Sequence, residues 1–359
     1  MLPASAGDVA RELGLPGALV AGGIITAFHL LAVFVETPLL AFSERVSVRV
    51  FSTAALTVLA AASLGAALSH SLGVLLACLA LYGPASGCAL SASEGLLVES
   101  RPLERERTLA RLNLSGALGD LSVPVLLGAL AWTGLGWRHA IGFAALTALA
   151  LALIHGTSKA LDVLPVGAAD EDETPPVLEA LRFAFSNRSL LAWSLAVSGT
   201  SLLDEVLIAF VMVRLEAASA MARAVVVGAW TVGLVGGLVV LERWIERLDS
   251  RRVLLVSACV AAAALVAVAC AETVTAAVAG AFVLGASTSP LHPLASARAY
   301  AALPGRPALV NAVAAAFVPL DALAPLVLSA IALRCGSEAA LLAILVAPLG
   351  IAVAARRHG

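Results

Sequence analysis

The chain has 359 residues, 61% of them hydrophobic and only 13% charged, with a net charge of −2 and a mean hydropathy of +1.00. A soluble domain carries about 25% charged and roughly 45–50% apolar residues, so a water-soluble globule is excluded, and the small net charge gives no reason to expect a nucleic acid partner. The apolar residues run in blocks of roughly 18 to 28, long enough to cross a hydrocarbon layer of roughly 30 Å.

In chain order, window hydropathy predicts membrane spans at 18–41, 51–69, 72–98, 108–134, 137–156, 189–213, 219–241, 253–270, 272–299, 306–333 and 336–355. Helices follow, because lipid offers an unpaired backbone group no partner. The expectation is an all-α polytopic membrane protein with eleven transmembrane helices: five in a bundle over 1–156, six in a bundle over 189–359. The first 17 residues lack the basic region and cleavage signature of a signal peptide. Pro84, Pro124, Pro290, Pro293, Pro319 and Pro325 fall inside spans, where neighbouring groups can satisfy the carbonyls that they free. Residues 157–188 are polar and hold the acidic run Asp170 to Glu173, then Pro175 and Pro176; they read as a flexible linker. Val177 to Phe185 inside it reads as a short amphipathic helix at the membrane surface.

Seventeen of the 22 basic side chains fall in one set of alternate loops and five in the other, which places the first set, the linker and the C-terminus in the cytoplasm. A plasma or inner membrane is the expected location. The five cysteines form no CxxC and no metal spacing, so neither a disulfide, a metal nor a cofactor is expected.

The two halves repeat. Residues 43–49 (Ser-Glu-Arg-Val-Ser-Val-Arg) align with 245–251 (Ile-Glu-Arg-Leu-Asp-Ser-Arg) at an offset of 202, Gly83 matches Gly285 at the same offset, and Asp120 and Pro124 match Asp321 and Pro325 at 201. Transporter folds are built from such repeats. The same offset puts the partner of span 189–213 at −13 to 11, so the first half is expected to lack one span, through a misassigned start or a truncated gene, with the N-terminus outside.

On these residues the chain resembles the major facilitator superfamily, from the family's second helix onward. Glu44-Arg45-Val46-Ser47-Val48-Arg49 resembles the loop Gly-x-Leu-x-Asp-Arg-x-Gly-Arg-Arg after that helix, with Glu for Asp and Ser for Gly, and Glu246 to Arg252 is its second copy. Gly119, Pro124 and Gly128 match part of the antiporter signature Gly-x-x-x-Gly-Pro-x-x-Gly-Gly, with Val123 and Leu127 replacing two glycines. Gly136-Trp137-Arg138 resembles the opening of the sixth helix, and Leu303-Pro304-Gly305-Arg306 the turn before the eleventh. The resemblance implies two helical bundles around a central site. It also implies that Glu44, Arg45, Arg49, Glu246, Arg247 and Arg251 form an ion-paired gating loop, against the alternative that the arginines only set topology. Leu79 stands where drug–proton antiporters of the family carry an Arg, four residues before Gly83, so that mechanism is not implied.

An ionised side chain at mid-bilayer costs about 2.5–3.5 kcal/mol on insertion scales, so the charges inside spans are the candidate site. Asp120 lies roughly 18 Å from either end of its span at 1.5 Å per residue, Asp321 lies similarly, and each precedes a proline by four positions. Two symmetric carboxylates there suit proton coupling or a cationic substrate group; alternatively each ties down a helix loosened by its proline. Asp204 and Glu205 are adjacent, so at most one of them points straight at a central cavity; the other reading is a cap on a local break. His29 and Glu36, seven residues apart, share a helix face and suit a proton relay, unless Glu36 only meets the loop arginines. His292, between two prolines, reads as a packing residue.

The favoured function is secondary active transport of a small organic solute by alternating access, coupled to protons, in the direction of efflux. The expected partners are the solute, protons and the lipid bilayer, with the protein acting as a monomer. No phosphate-binding loop of the Gly-x-x-x-x-Gly-Lys-Ser/Thr kind is present. A non-transporting or decayed paralogue is the alternative. An intramembrane aspartyl enzyme is the weakest, since Ala117 replaces the first glycine of the Gly-x-Gly-Asp signature and no Tyr-Asp partner exists.

Overall fold

Apolar blocks of this length have one way to satisfy their backbone in lipid, and the chain takes it. The computed structural model describes residues 17–133, 135–161, 176–215 and 220–358, with Val9, Glu12 and Gly14. The regular elements among the described residues are all helical. They are α1 (Gly17–Phe42), α2 (Val48–Leu68), α3 (Leu72–Ser100), α4 (Arg105–Trp132), α5 (Trp137–Thr157), α6 (Val177–Ser186), α7 (Arg188–Ser201), α8 (Leu207–Arg214), α9 (Ala220–Trp244), α10 (Ser250–Ala269), α11 (Val274–Thr288), α12 (Leu291–Ala302), α13 (Pro307–Ala315), α14 (Val318–Cys335), α15 (Ser337–Ala343) and α16 (Val346–His358). Among the described residues ten stretches are long and apolar enough to cross a membrane, and the protein is a multi-pass membrane protein. Helix α4, which opens on Arg105, Glu106 and Arg107, is not one of the ten. Residues 162–175, with the predicted acidic run and Pro175, lie outside the described residues; Lys159–Leu161 before them form a 3-10 turn, and α6 after them is the predicted short surface helix.

Four predicted spans are interrupted. Proline lacks the N–H that would bond the carbonyl four residues earlier, and Pro293, Pro319 and Pro348 free the carbonyls of Ser289, Ala315 and Ile344, which is where α11 gives way to α12, α13 to α14 and α15 to α16. The fourth break, between α7 and α8, has no proline: residues Leu202–Val206 form a π turn in which Asp204 leaves helical geometry (φ −114, ψ −109).

The repeat holds in three dimensions. Ser47 caps α2 by accepting from the Val50 N–H, and Asp249, 202 residues on, caps α10 by accepting from Arg251. Ser71 accepts from Val74 at the start of α3 at 3.4 Å, and Thr273 from Ala276 at the start of α11 at 3.2 Å. The 3-10 turns Ser43–Arg45 and Ile245–Arg247 also correspond. A Cβ at Gly83 would overlap the Phe28 carbonyl, and one at Gly285 the Trp230 carbonyl, again 202 residues apart. Missing side chains let the paired backbones approach closely, as small residues do in membranes.

The chain divides into two compact units. One comprises 1–100, 119–184 and 305–318; the other comprises 101–118, 185–304 and 319–359. In the first, α1 lies on α3, α2 on α3 and α5, and α13 on α1 and α3, around a core that includes Ile24, Leu75, Leu79, Trp137 and Ile141. In the second, α11 packs against α9 and α10, while α7 packs against α12 and α16. Each unit therefore takes in a half-helix from the other half of the sequence: α13 in the first, the opening turns of α4 in the second.

Candidate functional site

Asp321 stands in the first turn of α14. Ser198 Oγ donates to one of its carboxylate oxygens at 2.8 Å, and Ser201 Oγ to the other at 3.5 Å. Span hydroxyls otherwise tend to fold back on their own helix, as those of Ser63, Thr147 and Ser287 do; these two instead reach across from α7. Ser201 is the last residue of α7, and the π turn begins next to it. Asp204 in that turn is exposed; the side chain of Glu205 lies outside the described side chains. Such π turns recur at functional sites, and this one falls where the sequence offered a local break as the second reading of Asp204 and Glu205.

Asp120 is exposed on α4 and has no hydrogen-bond or ion-pair partner among the described residues. A Cβ at Gly116 or Gly119 beside it would meet nothing within 4 Å among the described residues. Facing lipid would cost the carboxylate about 2.5–3.5 kcal/mol; facing water removes that cost. Glu36 is half-buried on α1, its carboxylate seated where Gly87 of α3 has no side chain, and among the described residues it has no hydrogen-bond or ion partner. His29 sits half-buried against the edge of Phe28, ring centroids 5.0 Å apart. No hydrogen bond joins it to Glu36.

At the arginine-rich end, Glu44 is 8% exposed and receives Arg306 through two bonds, Nη2 to Oε2 at 2.7 Å and Nε to Oε1 at 3.3 Å. This fork is the strong form of a charged pair, and it fastens the start of α13 to the first unit. In the second unit Glu242 accepts from Arg107 Nε at 3.3 Å and Arg111 Nε at 2.8 Å, and Arg107 also pairs with Glu246. Those contacts fasten the start of α4. Arg247 lies over the Trp244 ring at 5.5 Å, and Arg251 donates to the Arg356 carbonyl at 3.0 Å. Arg45 is exposed and Arg49 half-buried. A cavity of about 320 Å³ opens beside this end of the second unit, bordered by Arg105, Arg107, Glu246 and Arg298.

Glu44 and Glu246 thus pair across the sequence halves. Arg306, Arg107 and Arg111 read in the sequence only as topological charge or as part of a turn, and Glu242, Ser198 and Ser201 carried no signal. The repeat offset could have pointed to Arg306, since it opens the helix that copies α4. At the other end, Glu12 accepts from Trp137 Nε1 and Arg138 Nε, both at 2.8 Å, and Arg138 also reaches the Ala67 carbonyl at 2.7 Å. The Arg138 hydrogen bond, helped by that of Trp137 and outweighing partial burial, holds the Glu12 carboxyl below its ordinary 4.5.

The fold, the internal repeat and the paired charges at one end all point one way, and a family model decides it: the Major Facilitator Superfamily model matches residues 1–221. The chain belongs to the Major Facilitator Superfamily. Solved structures of superfamily transporters share its fold. A form of the E. coli fucose:proton symporter FucP superposes with a TM-score of 0.79 at 14% identity, over 100% of this chain and 95% of that one. The human organic anion transporter MFSD10 gives 0.73 at 16% identity, over 98% and 89%. FucP in the outward conformation gives 0.73 at 15% identity, over 94% and 89%. No curated protein matches the chain significantly. As a superfamily member it has a transporter's fold.

Proposed function

We propose that the protein is a secondary active transporter that moves a small organic solute outward across the plasma membrane by alternating access, coupled to protons. The bundles over 1–156 and 189–359 are the moving bodies, 157–188 joins them, and the arginine-rich end faces the cytoplasm. Asp120 carries the reading: a carboxylate deep in a predicted span, exposed and without a hydrogen-bond or ion-pair partner among the described residues, is sustained by an aqueous path, and such a residue serves a substrate or proton route. Asp321, held by two hydroxyls next to a broken helix, is its repeat-related counterpart, and Asp204, Glu36 and His29 are further candidates along the route. The fucose:proton symporter named among the similar structures supports proton coupling, and the organic anion transporter supports a small organic solute.

The test is flux in proteoliposomes under an imposed pH gradient, with a panel of small organic solutes and a pH-sensitive dye. Gradient-driven flux with accompanying proton movement is expected in the wild type, and its loss in Asp120→Asn or Asp321→Asn. Flux with unchanged gradient dependence in Asp120→Asn, Asp321→Asn and Asp204→Asn removes proton coupling from these residues. A wild type that binds solutes and moves none favours the non-transporting alternative.

A further inference from the structure

We infer that Asp321, Ser198 and Ser201, with the C-terminal end of α7, form a binding site for a small monovalent metal cation of the sodium or lithium kind. The inference rests on the gradient-driven reading above and names a second coupling ion for the same carboxylate.

Asp321 has no basic partner among the described residues. Among the described residues its hydrogen-bond partners are the hydroxyls of Ser198 and Ser201, which are neutral. An uncompensated carboxylate inside a span is costly, and it is relieved by binding either a proton or a cation. The surroundings suit the cation. Ser198 and Ser201 both reach one carboxylate, so four side-chain oxygens converge within hydrogen-bond range, the hard oxygen donors that a small bare cation takes. Ser194, one turn back on the same face of α7 at spacing i, i+4, i+7, is fully buried, and its Oγ has no hydrogen-bond partner. It is a further hydroxyl that its own helix has not claimed.

The backbone adds a second, independent element. α7 ends at Ser201 and the π turn with Asp204 out of helical geometry follows. A helix C-terminus carries partial negative charge on its unsatisfied carbonyls, and broken membrane helices use such ends to hold coupling cations. On cation entry the serine hydroxyls turn their lone pairs to the ion and donate their protons to carbonyls one turn earlier in α7, as neighbouring Thr200 already does to Val197 at 2.6 Å. One carboxylate matches a single positive charge; calcium sites gather 6–8 oxygens, several from carboxylates. The all-oxygen set, without His or Cys, does not favour zinc or copper.

The experiment is thermal unfolding of the purified full chain in detergent at pH 8, with sodium chloride titrated against choline chloride at constant ionic strength. A saturable rise of roughly a few degrees in Tm with sodium or lithium is expected, shrinking as pH falls because a proton competes for Asp321. Asp321→Asn should abolish the rise. Should that variant not fold, the Ser198→Ala/Ser201→Ala double variant should shift half-saturation at least tenfold, while Ser63→Ala, whose hydroxyl bonds its own helix, leaves it unchanged. No sodium-specific rise in the wild type, or a rise unaltered in the double variant, overturns the site. The two readings separate: proton-driven flux lost in Asp321→Asn without any sodium effect sinks this inference alone, whereas a sodium effect with no proton dependence sinks the proton reading.

Discussion

Gly83 and Gly285 each meet the backbone of a neighbouring helix, and the identity of what a side chain would strike decides the outcome of a substitution. A Cβ at either position runs into a main-chain carbonyl, that of Phe28 or Trp230, which can yield only if the whole helix moves. Overpacking of that kind costs about 1–3 kcal/mol, so Gly83→Ala and Gly285→Ala are each expected to lower Tm in detergent clearly. At Gly87 the obstacle is the free end of the Glu36 side chain, which can swing aside, so Gly87→Ala should leave stability within about 1 kcal/mol of wild type and Tm nearly unchanged. Equal losses at all three positions would show that helix separation is not what the glycines control. The Gly83–Gly285 correspondence was legible in the sequence through the constant offset. Their contacts were not, because nothing in a Phe or a Trp marks its carbonyl as the point of closest approach. Ser198 and Ser201 were silent for a related reason: a span serine ordinarily bonds its own helix, and only the fold shows which ones do not.

Helix ends were the legible part of the elements. Apolar run length, Ser, Thr and Asp caps and prolines mark boundaries by local chemistry, and the predicted 72–98 and 137–156 appear as Leu72–Ser100 and Trp137–Thr157. The break at Asp204 was only half legible: a local break stood as the second reading of the Asp204–Glu205 pair, but no proline or glycine adjoins it to fix its place. The tie between the N-terminal segment and the start of α5 was also hidden, although Gly136-Trp137-Arg138 stood out as a motif. Glu12 holds that tie, and its carboxyl titrates below the ordinary 4.5 because of Arg138 first. A group whose folded value is depressed contributes its stabilisation above the unfolded value and loses it as pH falls through the folded one. Hydrogen exchange around residues 137–139 is therefore expected to be slow and flat above about pH 5, after correction for intrinsic rates, and to accelerate below the depressed value. Glu12→Gln should show the faster exchange above that value and converge with the wild type below it. A profile that is the same in both proteins would remove Glu12 from the tie.

At the level of the whole molecule, the sequence showed two repeated halves but not that each lends a half-helix to the other's unit. The exchange depends on charges far apart in the chain. Its two fastenings are unequal. Glu44 and Arg306 have side chains 10% and 23% exposed, so removing the arginine leaves a nearly buried carboxylate, a loss of about 3–5 kcal/mol. Arg107 and Glu246 are 30% and 61% exposed, and pairs so open to solvent contribute about 0–1 kcal/mol, although Glu242 with Arg107 and Arg111 adds a second contact. The attachment of α13 should therefore fail first. Ala315 reports on it, being buried in α13. With the native cysteines replaced and Ala315→Cys introduced, thiol labelling is expected to speed up on the order of a hundredfold in Arg306→Ala, since each 1.4 kcal/mol is a factor of ten. In Arg107→Ala it should change only a few-fold. The exchanged pair, Glu44→Arg with Arg306→Glu, restores opposite charges at the same place and should return labelling most of the way to its starting rate. If the exchanged pair labels as fast as Arg306→Ala, packing around the arginine stem rather than the ion pair holds α13, and the charge has no part in keeping that end closed.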